Sequence, residues 1–495
     1  MSDLRPEPAT TRPPDRWRRY LAGRGTEALV LLNSLIITCY ALVWSYYSKA
    51  VCGGAPYFPD GRSHVWPVGN PDAAIPCYSD IMFLWVGRDI NNHVFPYING
   101  GIDASGHLFG GSVEYPVLSG MMMWLGAIGA HTDTGFFTHT VWLLVPFALA
   151  ITVLLALLTR WWVLLWAASG PLVFYAFHNW ELPVVFTSVA AVAVMAWGAS
   201  TSPSTGERRM TLRNSAILAS ILLAIGFCLK LYPGFFVLPL AAYVLTGGGF
   251  AAAKGVDASS ARRALDWAGA IWVAAAAAIT VIVVQLPFMI GGFEGWKAAM
   301  TFQGKRRADV DTNSIWHWGF RFIVGRSHMD TYNTLVGILS PLLILSAWCV
   351  AMYLGWKVYQ RRGAFPWIGV AAAMLAGFMV FHKVNSPQYM LWVLPFFVLL
   401  QIRWQVIGVY IVANLVLDMT IFRLFGIMNS GAPMKWWVIG GVNFGVWVQS
   451  ILLVYLIYAF VHASLREPLA SMGLRRKVIE PVDADPSDDA ELAPA

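Results

Sequence analysis

RWRRYLAGRGTEALVLLNSLIITCYALVWSYYSK, residues 16–49, decides the architecture. Four arginines (Arg16, Arg18, Arg19 and Arg24) stand before an apolar run that covers roughly residues 28–48. A helix over that run is about 30 Å long, the thickness of the hydrocarbon core of a bilayer. Basic residues ahead of a first span hold the N-terminus in the cytoplasm. The run is longer than the roughly 7–15 apolar residues of a signal-peptide core, so it reads as an uncleaved signal-anchor.

Outward from this stretch the same alternation repeats along the chain of 495 residues, 57% of them hydrophobic and 12% charged. An average soluble protein is about 25% charged. Apolar runs recur near 115–130, 139–158, 163–177, 183–199, 214–229, 234–246, 268–288, 333–353, 365–381, 388–402, 404–425 and 437–460. Basic loops assign the sides: Arg208, Arg209 and Arg213; Lys254, Arg262 and Arg263; Lys357, Arg361 and Arg362 mark the cytoplasm. Residues 461–495 begin basic (Arg466, Arg475, Arg476, Lys477), end acidic, and read as a disordered cytoplasmic tail. With both termini inside, the crossings must be even in number. The short, Gly-interrupted run 115–130 is the one expected not to cross, which also places Arg160 inside. The sequence therefore predicts an all-α polytopic membrane protein of about 12 transmembrane helices. Residues 1–27 form a basic cytoplasmic segment and 28–460 the membrane domain, and the long first extracytoplasmic loop carries surface helices. One of these is an amphipathic stretch around Ile81 to Val86.

On this map the polar residues that can do chemistry gather on one face. The outer segments are 49–138, His178-Asn179-Trp180-Glu181, Lys230-Leu231-Tyr232-Pro233, 289–332, His382 to Pro387 and a segment near 426–436. Loop 289–332 holds Lys297, Lys305, Arg306, Arg307, Arg321 and Arg326 against the positive-inside trend. An anionic lipid headgroup accounts for such a cluster; a cytoplasmic loop is the alternative. The loop continues Thr312-Asn313-Ser314-Ile315-Trp316-His317-Trp318, where His317 is either a phosphate donor or an interfacial packing residue. Lys230 and Lys383 end apolar runs and either snorkel or meet a ligand. Polar breaks such as Lys383-Val384-Asn385-Ser386-Pro387-Gln388-Tyr389 are costly at that depth unless they face a cavity. Among the outer acids, Asp80 is either a helix cap or a base, and Glu114 orients backbone or acceptor.

Cys39, Cys228 and Cys349 lie in apolar runs, whereas Cys52 and Cys77 flank a polar outer loop and can form a disulfide there. Two unrelated buried thiols are the alternative. No Walker motif, Gly-x-Gly-x-x-Gly unit or zinc-spaced Cys/His set is present, so no cofactor, no metal and no nucleic-acid partner is expected.

Four stretches carry a resemblance: Cys77-Tyr78-Ser79-Asp80-Ile81, Glu114-Tyr115-Pro116-Val117-Leu118, Lys230-Leu231-Tyr232-Pro233, and the Lys383 to Tyr389 segment with Trp392 after it. In this order, spread over most of residues 28–460, they resemble the GT-C superfamily of polyprenyl-phosphate-sugar glycosyltransferases. The match is nearest to glycosyltransferase family 87, which includes a phosphatidylinositol mannoside mannosyltransferase of actinobacterial envelopes. The resemblance implies a GT-C-like bundle in the plasma membrane with an extracytoplasmic active site. It implies an inverting transfer of a sugar, mannose first and arabinose next, from a polyprenyl-phosphate donor to an envelope glycolipid or glycan. It maps the family's catalytic Asp onto Asp80 and an active-site His onto His317. The first outer loop is longer than the family pattern and carries Cys52 and Cys77, so its acceptor can differ. Arg306, Arg307, Lys230 and Lys383 are the candidate donor-phosphate groups. Glu114, Tyr115, Asn179, Glu181, Gln388 and Tyr389, polar side chains at the same outer junctions, are candidate substrate contacts. A transporter or flippase of lipid-linked sugars is the rival reading; it expects polar residues along a whole crossing path.

Overall fold

The computed structural model of the chain describes residues 24–64, 77–200, 202, 207–248, 265–324 and 328–471. Arg16, Arg18, Arg19, Lys254, Arg262, Arg263, Arg326, Arg475, Arg476 and Lys477, with most of the basic N-terminal segment and the acidic tail, lie outside the described residues.

The protein is an all-α polytopic membrane protein. Among the described residues the only sheet is a two-stranded antiparallel pair, Gly101–Ile102 with Leu108–Phe109. Among the described residues eight helices are long and apolar enough to cross a membrane. They are α1 (Arg24–Ala50), α4 (Asp133–Thr159, continued by helical turns to Ala167), α5 (Glu181–Ala199), α6 (Leu212–Leu229), α7 (Trp267–Gly291), α9 (Met329–Arg362), α12 (Trp404–Ser430) and α13 (Trp436–His462). The remaining helices that matter here are α2 (Asp80–Gly87), α3 (Val117–Ala127), α8 (Phe293–Lys305), α10 (Trp367–Phe381) and α11 (Met390–Leu399).

The apolar runs thus divide by length. Those near 115–130, 234–246, 365–381 and 388–402 form shorter helices. The run 163–177 breaks into a 3-10 turn and the short helices Leu164–Ala167 and Gly170–Tyr175. The break has a local cause: the Ser169 hydroxyl accepts the Leu172 N–H at 3.4 Å and Pro171 follows, a helix start in the middle of an apolar run.

Burial follows helical periodicity where a helix has one packed side. In α7 only Gly269, Val273, Ala277 and Gln285 are buried, one stripe at multiples of four, and the rest of the surface suits lipid. By contrast every residue of α11 from Met390 to Leu399 is buried, as is nearly all of α10, so these two helices form the centre. Around them α5 packs on α6, α6 on α7, α12 on α13, and α13 on α10.

The long loop after α1 is tied down. Cys52 and Cys77 are joined in a disulfide with Cα atoms 5.4 Å apart. The buried Asp133 carboxylate accepts the Ser63 N–H at 2.8 Å and its hydroxyl at 2.7 Å, and the Thr132 hydroxyl caps α4 by accepting the Gly135 N–H. Farther on, Gly295 in α8 lies so close to the Tyr97 carbonyl that a Cβ there would collide with backbone. The Ser112 hydroxyl donates to the Gly295 carbonyl at 3.1 Å, and together these contacts seat α8 on the first loop.

Helix α3 has 11 residues, about 16 Å of helix against a core of about 30 Å. Its Ser119 hydroxyl donates to the Leu229 carbonyl at the end of α6, so it rests on that end of the bundle. This gives a topological test at His131, which is exposed just beyond it. A His131→Cys variant in a background lacking Cys39, Cys228 and Cys349 is expected to react with an impermeant maleimide in intact cells. Labelling only after lysis would show that residues 115–130 cross.

Candidate active site

The segments that the charge map places on one face meet at one end of the bundle, around a cavity of about 430 Å³. Tyr78, Asp80 and Arg88 come from α2 and its flanks, and Glu114 and Tyr115 from the approach to α3. His178 precedes α5, Lys230 ends α6, and Gln303 to Asn313 follow from α8. His382 to Tyr389 link α10 to α11, and Phe422 and Phe425 close the wall from α12.

Asp80 opens α2, yet the Ser79 side chain at its N-cap makes no capping hydrogen bond. Its carboxylate turns to the cavity instead. Oδ2 accepts from Asn179 Nδ2 at 2.7 Å and from Gln388 Nε2 at 3.4 Å, and His178 Nε2 lies 3.8 Å away. Burial pushes the Asp80 carboxyl above the ordinary carboxylate range, against the opposing pull of Asn179, Tyr78 and Lys230. A carboxylate so raised accepts a proton more readily than a solvated one. Burial acts the other way on His178 and on His382, which is brought down to about 4; both imidazoles are neutral near pH 7.

Behind Asp80 lies a buried polar chain. Asn179 Nδ2 also donates to the Tyr115 hydroxyl at 2.9 Å, while its Oδ1 accepts from Lys230 Nζ at 3.2 Å. Lys230 is ion-paired with Glu181, whose second oxygen accepts from Trp392 Nε1 at 2.5 Å. Glu181 has no exposed surface and Lys230 is 7% exposed. Tyr389 stacks on Trp392 at 3.6 Å, and Trp392 on Tyr232 at 4.4 Å, so the aromatic residues of two of the quoted motifs wall this chain.

The cationic side of the cavity is held more loosely. Arg306 Nη2 reaches Asp311 Oδ2 at 3.2 Å, with that aspartate about half exposed. Arg307 Nη1 reaches Asp330 Oδ1 at 2.9 Å, both largely exposed. The exposed Arg307–Asp330 pair is of a kind worth about 0–1 kcal/mol, and both guanidiniums face a carboxylate open to solvent that another anion can replace. On the remaining wall Arg88 grips Glu114 with two hydrogen bonds, at 2.7 and 3.1 Å.

Of the residues singled out in the sequence, Asp80, Glu114, Tyr115, Lys230, Arg306, Arg307, Gln388 and Tyr389 line the cavity. Asn179 and Glu181 stand directly behind its wall, bonded to Asp80 and Lys230. Lys383 does not line it; its Nζ donates to the Arg306 carbonyl at 2.9 Å and so holds the loop that presents the arginine. His317 does not line it either; it is buried on a π-helical turn behind the wall, with Nδ1 3.9 Å from Oδ1 of the lining residue Asp309. The histidines at the cavity are His178 and His382. A sequence signal for both existed: each begins one of the polar junctions that the charge map groups on one face.

No protein-family model matches the chain, and no curated protein is significantly similar to it. Two solved structures align with it. One is the apo form of the Archaeoglobus fulgidus oligosaccharyltransferase, at 12% identity and TM-score 0.34, with 86% of this chain aligned. The other is the archaeal oligosaccharyltransferase AglB from Archaeoglobus fulgidus in complex with an inhibitory peptide and a dolichol-phosphate, at 11% identity and TM-score 0.36, with 89% aligned. In both comparisons the alignment covers 56% of the archaeal chain.

Proposed function

We propose that the chain is a GT-C-type inverting glycosyltransferase that moves a sugar from a polyprenyl-phosphate carrier to an envelope glycolipid or glycan on the extracytoplasmic face of the plasma membrane. The observation that carries this reading is the pairing, in one cavity at the end of the membrane helices, of a raised carboxylate with weakly held guanidiniums. Asp80 takes the proton of an acceptor hydroxyl as that oxygen attacks the anomeric carbon. The bond from that carbon to the phosphate oxygen breaks with its electron pair, and the leaving polyprenyl phosphate is met by Arg306 and Arg307. Displacement from the opposite face inverts the anomeric centre. The tail of the carrier remains in lipid while its headgroup reaches the cavity.

The sugar is mannose first and arabinose next, by the family resemblance. The deciding experiment is turnover of radiolabelled polyprenyl-phosphate sugars by purified protein in detergent, with the mass of the product. Transfer of one sugar with inverted configuration supports the reading. No transfer from any donor, together with movement of the labelled lipid across proteoliposomes, would replace it with the flippase.

The donor side gives a separate test. Replacing Arg306 and Arg307 together by Gln removes the guanidinium charge that faces the phosphate. Hydrogen bonds to charged groups are worth about 1.5–3 kcal/mol, so the apparent KM for the donor is expected to rise roughly 10- to 100-fold. An unchanged donor KM would remove the phosphate role from this loop.

A further inference from the structure

The ammonium of Lys230 is the most deeply held charge at the cavity, and its surroundings leave it little to offer a phosphate. Its partners are the Glu181 carboxylate and Asn179 Oδ1, and it lies 4.9 Å from the Tyr115 ring centroid and 5.8 Å from that of Trp392. An ammonium has three donors and no acceptor. Asn179 Oδ1 therefore has to face it, and the same oxygen accepts the Trp180 N–H at 2.6 Å. With Oδ1 committed to two donors, Nδ2 has one direction left. It points at Asp80 Oδ2 and the Tyr115 hydroxyl. Turning the amide over would set its NH₂ against the ammonium and its oxygen against the Asp80 carboxylate, two repulsive contacts in a buried site.

We propose that Glu181, Lys230 and Asn179 form a positioning relay: Glu181 anchors Lys230, Lys230 fixes the Asn179 amide, and the amide sets the rotation of the Asp80 carboxylate toward the acceptor hydroxyl. This rests on the proposed role of Asp80 and gives Lys230 a different task from phosphate binding. Trp392 is part of the device, because its indole N–H holds the second Glu181 oxygen at 2.5 Å and so prevents the anchor from turning. A relay of this kind acts on the reacting geometry, where misplacement by about 1 Å costs about 100-fold in rate.

The test uses full-length protein with polyprenyl-phosphate mannose as the donor, or polyprenyl-phosphate arabinose if mannose is not transferred. The double variant Lys230→Met/Glu181→Gln removes both charges while keeping similar shapes, so no buried charge is stranded. Turnover is expected to fall about 10- to 100-fold with the donor KM unchanged. The acid limb of the rate profile is expected to move to higher pH, since Lys230 draws the Asp80 carboxyl down. Asn179→Ala leaves the ion pair in place and is expected to move the limb in the same direction, which a purely structural loss would not do. A raised donor KM at unchanged turnover makes Lys230 a phosphate ligand and overturns the relay, and so does a wild-type rate and pH profile in both variants. Asp80→Asn, run in parallel, separates the two levels. If it retains wild-type turnover, the role of Asp80 falls and the relay with it; if it is inactive, the relay variants alone decide.

Discussion

Asp80→Asn is expected to lower turnover by about 100-fold or more, the range lost with a general base. Asparagine keeps the size of the side chain and can still accept from Asn179 Nδ2, but it cannot take a proton. Expression, thermal stability and donor affinity are therefore expected to stay near wild type. Helix capping offers no competing explanation, because the Ser79 side chain makes no cap hydrogen bond and the Asp80 carboxylate bonds to Asn179 and Gln388 instead. The same carboxylate predicts the pH dependence. Asp80 has to be ionised to act, and burial raises its pKa, so turnover in the unmodified protein should fade on acidification sooner than an ordinary carboxylate would dictate. A variant that keeps more than about a tenth of wild-type turnover, short of the loss expected for a general base, would move the role to Glu114. That residue is the other motif carboxylate at the cavity, at present gripped by Arg88.

The second large effect is on stability. Glu181→Ala removes the paired carboxylate and leaves the Lys230 ammonium buried against an amide oxygen and two aromatic rings. Removing one partner of a buried ion pair typically costs about 3–5 kcal/mol, because the other charge stays desolvated. A clear fall in the thermal unfolding midpoint in detergent, with loss of monodisperse protein, is the expected outcome. Removing the charges of both partners is expected to be far milder, as there is then no unpaired ion. A midpoint for Glu181→Ala equal to wild type would mean that Lys230 escapes to water, and the pair would not be the anchor described here.

Length and polarity make some features of a membrane chain legible and hide others. The positive-inside rule groups loops by side, and most of the cavity lining comes from segments of one of its two groups. Motif order brought out Asp80, Glu114, Tyr115, Lys230, Gln388 and Tyr389, and each of them lines it. The histidines show where this reading ends. His317 sits between two tryptophans in a basic loop, the most conspicuous setting in the sequence, yet it does not line the cavity; it is buried behind Asp309, a residue of the cavity wall. His178 and His382 stand in plainer junctions and line the cavity, because the chain brings the ends of α5, α10 and α2 together.

The sequence by itself determined the solvent and grouped the polar residues that meet at one end of the bundle. Apolar runs of bilayer length leave the backbone no alternative to helix in lipid, and the placement of charge orders the loops, both by local physics that needs no partner. Only the tertiary structure decided which polar group meets which. Asn179 and Asp80 are 99 residues apart, and Gln388 and Asp80 are 308 apart, yet they share one carboxylate oxygen. The pairing of Lys230 with Glu181, and therefore the difference between a free cation and a held one, depends on α5 and α6 packing side by side. A buried charge must find its partner in space, and no spacing along the chain records where that partner will be.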